Sequence, residues 1–149
     1  MKNVLVVLIT LMIAGPPAWA ALGQYEGSVS VDREALKSED HVQNFQGYKV
    51  HQLTTATGLS VREFVSPQGR VFGVSWGGRF RPDLNQLLGS YVINLQTATP
   101  AQTQVRHLRG LTVKTSDFVF TNFGTPRIST GSAYVPSLVP VNVSAGVVR

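Results

Sequence analysis

Apolar and polar residues alternate most clearly in the middle of the chain. Residues 48–53 and 59–65 follow the period of two that marks a half-buried strand, and residues 70–76 make a third. In that third strand Phe72, Val74 and Trp76 are expected to share one face of a sheet. Polar residues 54–58 form the first turn. Ser66-Pro67-Gln68-Gly69 forms the second: proline presets φ at the first central position of a type I turn, and Gly69 takes the left-handed conformation that closes a three-residue hairpin loop with a bulge. The period then changes. Gly77-Gly78-Arg79-Phe80-Arg81 suits no regular strand, while Pro82 and Asp83 suit a helix start. Leu84, Leu87, Leu88, Tyr91, Val92 and Leu95 make one apolar stripe, which predicts an amphipathic helix over 82–96. Gly89 interrupts the stripe, and a competing reading ends the helix there and continues as a strand through Tyr91, Ile93 and Leu95.

Residues 97–103, with Pro100, read as a loop. Strands follow at 111–115, 118–122 and 127–135, separated by turns at 116–117 and 123–126. Pro136 and Pro140 break the chain, leaving 141–148 as a last edge strand. Residues 21–46 carry the weakest pattern, with one short helix starting at Asp32, a capping residue type. Val, Thr and Ile outnumber Leu and Ala, which favours strands. The fold class expected is α+β: a mostly antiparallel sheet of six or seven strands with the 82–96 helix packed on one face.

The first residues stand apart from this pattern. A positive start at Lys2, an apolar run over 4–14, the Gly15-Pro16-Pro17 break and the small residues of Ala18-Trp19-Ala20 read as a signal peptide. It spans 1–20 and is cleaved between Ala20 and Ala21, leaving one exported globular domain over 21–149 in the periplasm or outside the cell. The apolar run is about half the roughly 20 residues that a membrane span needs. At 149 residues, 43% hydrophobic and 14% charged, the chain has the composition of a folded protein. The absence of cysteine removes disulfides, thiolate metal sites and a cysteine nucleophile. A net charge of +5 is scattered, with local pairs only at Arg79/Arg81 and Arg106/Arg109, so no nucleic-acid stripe forms.

Candidate chemistry is sparse. His41, His51 and His107 lack the close spacing of zinc ligands, so neither a metal nor a cofactor is expected. Gly73-Val74-Ser75-Trp76-Gly77 matches the hydrolase pattern G-x-S-x-G, and Ser75, Asp83 and His107 follow in the right order, but the serine falls inside a strand and not at a strand-to-helix turn. Glu63 and Arg62 point to opposite faces of their strand, and Glu63 is read as half of a structural ion pair. Trp76, Arg79, Phe80 and Arg81 combine residue types enriched at binding hot spots on one glycine-loosened loop, and form the candidate recognition surface for an acidic partner or ligand.

Four ordered blocks carry a resemblance: Gly-Leu-Ser-Val-Arg-Glu-Phe-Val-Ser at 58–66, Gly-Arg-Val-Phe-Gly-Val-Ser-Trp at 69–76, Pro-Asp-Leu-Asn-Gln-Leu-Leu-Gly at 82–89 and Gly-Ser-Ala-Tyr-Val-Pro at 131–136. Together they resemble domain-of-unknown-function family 2844, with Gly77-Gly78 standing where that family carries Gly-Pro. The resemblance implies an exported protein of Gram-negative bacteria and supplies no activity or site residues. The function expected is that of a noncatalytic exported accessory or binding protein, its partner an exported protein or a small ligand. The alternatives are an assembly component pairing through edge strands, with the Val-rich 139–148 tail as its feature, and a small hydrolase centred on Ser75.

Overall fold

The hairpin at the centre of the chain closes as its residue types require. Ser66 N–H donates to the Arg70 carbonyl and Gly69 N–H to the Ser66 carbonyl, both at 2.8 Å, and Gly69 has φ +72°. The computed structural model in which this is seen describes residues 21–101, 110–125 and 127–149. The hairpin joins β3 (Ser60–Val65) to β4 (Val71–Gly78), and with β1 (Ser38–Phe45) and β2 (Tyr48–Thr55) these form an antiparallel meander. From β4 the chain crosses one face through α2 (Leu84–Leu88) and α3 (Tyr91–Ala101) and enters the far edge as β5 (Gly110–Lys114). It returns through β6 (Val119–Thr125) and β7 (Ile128–Tyr134), and β7 pairs with the free edge of β4. Among the described residues this gives one seven-stranded sheet in the order β1-β2-β3-β4-β7-β6-β5, antiparallel throughout, an α+β fold.

The helix expected over 82–96 is two helices. Gly89 has φ +52° and ψ −125°, outside the helical region, and the chain resumes at Tyr91 as a helix and not as a strand. The apolar stripe survives the break: Leu84, Leu87, Leu88, Tyr91, Val92 and Leu95 all join the main core with Val74, Trp76 and Phe120 of the sheet. Asp83 is the N-cap, its Oδ1 accepting from Asn85 N–H at 2.8 Å. α3 runs to Ala101, so residues 97–101, expected as loop, are helical. Residues 102–109 and 126, with His107, Arg106, Arg109 and part of the turn expected over 123–126, lie outside the described residues, as does the expected signal peptide over 1–20.

More is ordered between 21 and 46 than the sequence pattern indicated. α1 (Ser28–Leu36) begins before Asp32, which is buried in its middle and is not its cap. β1 pairs with β2 along its whole length, but most of its side chains are exposed, so no alternation marked it.

The register between β3 and β4 slips once. Phe64 pairs with Gly73 and Val65 with Val71, leaving Phe72 as the extra residue of a bulge. Phe72 is thereby turned away from Val74 and Trp76, contrary to the shared face expected, and packs with Val50, Phe64 and Val148 on the opposite side. The segment 141–148 is not an edge strand. Residues 135–149 cross that second face with short 3-10 turns at Pro136–Leu138 and Ala145–Val147, and the sheet edges are β1 and β5. A Cβ on Gly73 would stand 2.6 Å from Val148, so glycine lets the tail close on β4, and Ser75 Oγ donates to the Arg149 carbonyl at 3.0 Å. Val148→Ala deletes two methyl groups from this layer, and chemical denaturation is expected to show a loss of about 2 kcal/mol, transfer and cavity contributions together.

Candidate functional site

The four residues of the expected recognition surface separate. Trp76 is 3% exposed and belongs to the core, its ring tilted against Phe120 at 5.9 Å between centroids and lying over Gly131. Arg79, Phe80 and Arg81, just past the end of β4, are exposed, Phe80 by 56%. The pairing of Gly78 with Ser129, and of Ser129 with Gly124, brings the tip of the β6–β7 hairpin to the same end of the sheet. That tip adds Phe123 and Ile128, exposed by 51% and 55%, and the exposed Arg127. Among the described residues none of these three arginines forms an ion pair. The sequence pattern missed the hairpin's share because Phe123 and Ile128 read there as turn and strand residues, and only the β4–β7 pairing sets them beside the arginine loop.

Ser75 is buried in the middle of β4 with its hydroxyl bonded to the tail, and Asp83 is bonded as a helix cap. Ser75 therefore does not stand at the strand-to-helix turn that a hydrolase nucleophile occupies.

A second constellation lies under α1. The strand period sets Glu63 on the same face as Val61 and Val65, the face covered by helices, and it is fully buried. It is not half of an ion pair, as its alternation with Arg62 suggested: its neighbours are the carboxyls of Asp32 on α1 and Asp40 on β1. Both Glu63 oxygens and Asp32 Oδ2 are buried without a well-formed hydrogen bond, although the two carboxyls interact across the α1–β3 interface. Asp32 Oδ1 accepts from Gln86 Nε2 of α2 at 2.9 Å. Burial above all, then the negative charges of Asp32 and Asp40, holds the Glu63 carboxyl well above the usual range. Burial likewise pushes Asp32 up to about 6, against the opposing hydrogen bonds of Gln86 and Glu63.

His51, directly across from Glu63 on β2, joins this cluster to the surface. Its Nδ1 lies 2.9 Å from Asp40 Oδ2 and its Nε2 3.0 Å from Glu26 Oε1. Only the doubly protonated ring donates to both carboxylates. Lys49 Nζ approaches the same Glu26 oxygen at 2.5 Å, and the hydrogen bonds from Lys49 and then His51 hold the Glu26 carboxyl below its usual range. Glu26 and Lys49 line a cleft of about 260 Å³ with Asn44, Tyr48 and Ser66.

The four ordered sequence blocks correspond to β3, β4, α2 with its cap, and the end of β7. A family model described as Protein of unknown function (DUF2844) matches residues 18–148. The chain belongs to that family. Comparison with curated proteins and with solved structures found no match. In this DUF2844 chain, then, site roles rest on geometry alone. The signal for the buried cluster was a carboxylate at the core-facing position of an apolar strand; its partners, far away in sequence, carried none. His51→Ala removes the ring held between Asp40 and Glu26 and is expected to lower stability by about 1–3 kcal/mol, read as a shift of the urea midpoint at constant slope.

Proposed function

We propose that this DUF2844 protein is an exported, noncatalytic binding protein whose contact surface is the Arg79-Phe80-Arg81 loop together with the tip of the β6–β7 hairpin. The observation that carries this reading is that Phe80, Phe123 and Ile128 are each more than half exposed at one end of the sheet, the end that also carries the exposed Arg79, Arg81 and Arg127. Large apolar side chains gathered on a surface cost hydration free energy unless a partner covers them, and aromatic residues beside arginines are the usual anchors of such contacts. Unpaired arginines select an acidic partner and speed its encounter. The partner is an acidic exported protein that offers an apolar side chain to the Phe80–Ile128 region.

Export is supported by the basic, apolar and small-residue order of residues 1–20. Ala21 and Leu22 are buried, and Leu22 N–H and Gly23 N–H donate to the Leu87 and Val71 carbonyls, so cleavage after Ala20 leaves these anchoring contacts in place. Among the described residues no helix is long and apolar enough to cross a membrane. The hydrolase alternative loses ground because the Ser75 hydroxyl is buried and engaged; the edge-strand alternative loses its feature because the tail lies across a sheet face.

The test is a crosslinking pull-down from the exported fraction of the native cell, comparing the wild type with Arg79→Glu/Arg81→Glu and with Phe80→Ala. Trp76 stays intact because it is core. An acidic partner is expected whose recovery falls at least tenfold in both variants and weakens with added salt, while melting temperatures stay within a few degrees. Equal recovery by wild type and variants overturns the assignment of this surface.

A further inference from the structure

A carboxyl group buried without a donor is tolerated as the neutral acid, because its anion has lost water and gained nothing in return. Glu63 is such a group: it is 0% exposed, neither oxygen has a well-formed partner, and Asp32, 1% exposed, faces it from α1. The charged and titratable groups around the pair are Asp40 from β1, His51 and Lys49 from β2, and Glu26 ahead of α1; β4 sets Val74 opposite Glu63, and α2 offers the neutral Gln86. The two basic groups are already engaged by Asp40 and Glu26, and among the described residues no ion pair reaches Glu63.

α1 is lightly held. Val29 and Asp32 are its buried residues and Leu36 packs half-buried on the core, so part of what docks it is the carboxyl contact itself. Its ends suit a hinge: Gly27 precedes it, and Lys37 after it has φ +50°, a conformation a non-glycine residue adopts under constraint. The flanking chain is tied down independently. Gly23, Gln24 and Glu26 bond to the backbone around the β3–β4 turn, and β1 is paired to β2, so motion can be confined to α1.

We propose that α1 is a pH-sensitive latch, docked on β1–β3 while the Asp32–Glu63 pair keeps its protons and released when both carboxyls ionise, uncovering the helix-side face of β1 and β2 around Leu53. The direction is set by proton linkage. Both groups bind their protons more tightly in the docked state than in the open one, so docking is fully stabilised below the ordinary aspartate value of 3.8. It weakens as pH rises, Asp32's share going through about 6 and Glu63's through its own raised range. Loss of the first proton leaves an anion with the Gln86 amide as its donor, at Asp32 Oδ1; loss of the second leaves two buried anions facing each other. Each proton released on opening raises the opening constant by up to tenfold per pH unit.

Amide hydrogen exchange in the purified protein tests this between pH 5 and 8, corrected for intrinsic rates. The opening constant of residues 28–36 is expected to rise at least tenfold relative to β3 and β4, and to stay flat in Asp32→Asn/Glu63→Gln. A pH-independent α1, or the same rise in the double variant, overturns the latch. If the double variant does not fold, carboxyl 13C titration of the wild type decides: both groups ionising below pH 5 overturns the proposal, and late, coupled ionisation supports it.

Discussion

Val74 and Trp76 on one face of β4 and Phe72 and Gly73 on the other are all buried, and the remaining elements are placed so that neither face of this strand meets water. The crossover through α2 and α3 roofs one side, and residues 135–149 close the other. A strand covered on both faces wants apolar residues in succession, which is why β4 reads as Val-Phe-Gly-Val-Ser-Trp with every residue buried. The bulge gives Phe72 to the second layer, and the missing side chain at Gly73 admits Val148.

That double cover also decides where the surface chemistry lies. The arginine loop begins where β4 emerges from beneath its two layers, and the pairing of β4 with β7 brings the β6–β7 tip to the same end. Away from it, under α1, sit Glu26, Asp32, Asp40 and Glu63, half of the chain's 8 acidic residues. Exposed arginines at the strand end and carboxyls on and around α1 thus lie in separate parts of the molecule. A well-packed apolar filling of the α1–β3 interface is often at least as stable as buried ionisable groups, so the carboxyl pair is not explained by stability alone.

Local chemistry was legible in the sequence wherever one residue type answers one geometric need. Pro67 and Gly69 determined the hairpin, Asp83 the start of α2, the leucine stripe the helix-bearing face and the β-branched runs the β5–β7 region. The Gly89 break was visible only as a competing reading, and there with a strand after it, because the apolar stripe runs through the glycine, which signals backbone freedom at its own position and leaves the next element undetermined.

What the tertiary structure alone decided concerns partners distant in the chain. Phe72 changed face because of a bulge set by pairing with β3, and the Val-rich tail became a cover because the second face of β2–β4 needed one. Trp76 went into the core while Phe80 stayed outside, although both are aromatic residues of one short segment, since only the roof of helices distinguishes them. Glu63 showed in the sequence as a carboxylate on an apolar face, but that it meets Asp32 and not a cation depends on α1 folding back over β3. Periodicity and turn residues act through neighbours along the chain and so determine elements by themselves; burial and charge depend on what covers a residue in space, which only the assembled fold supplies.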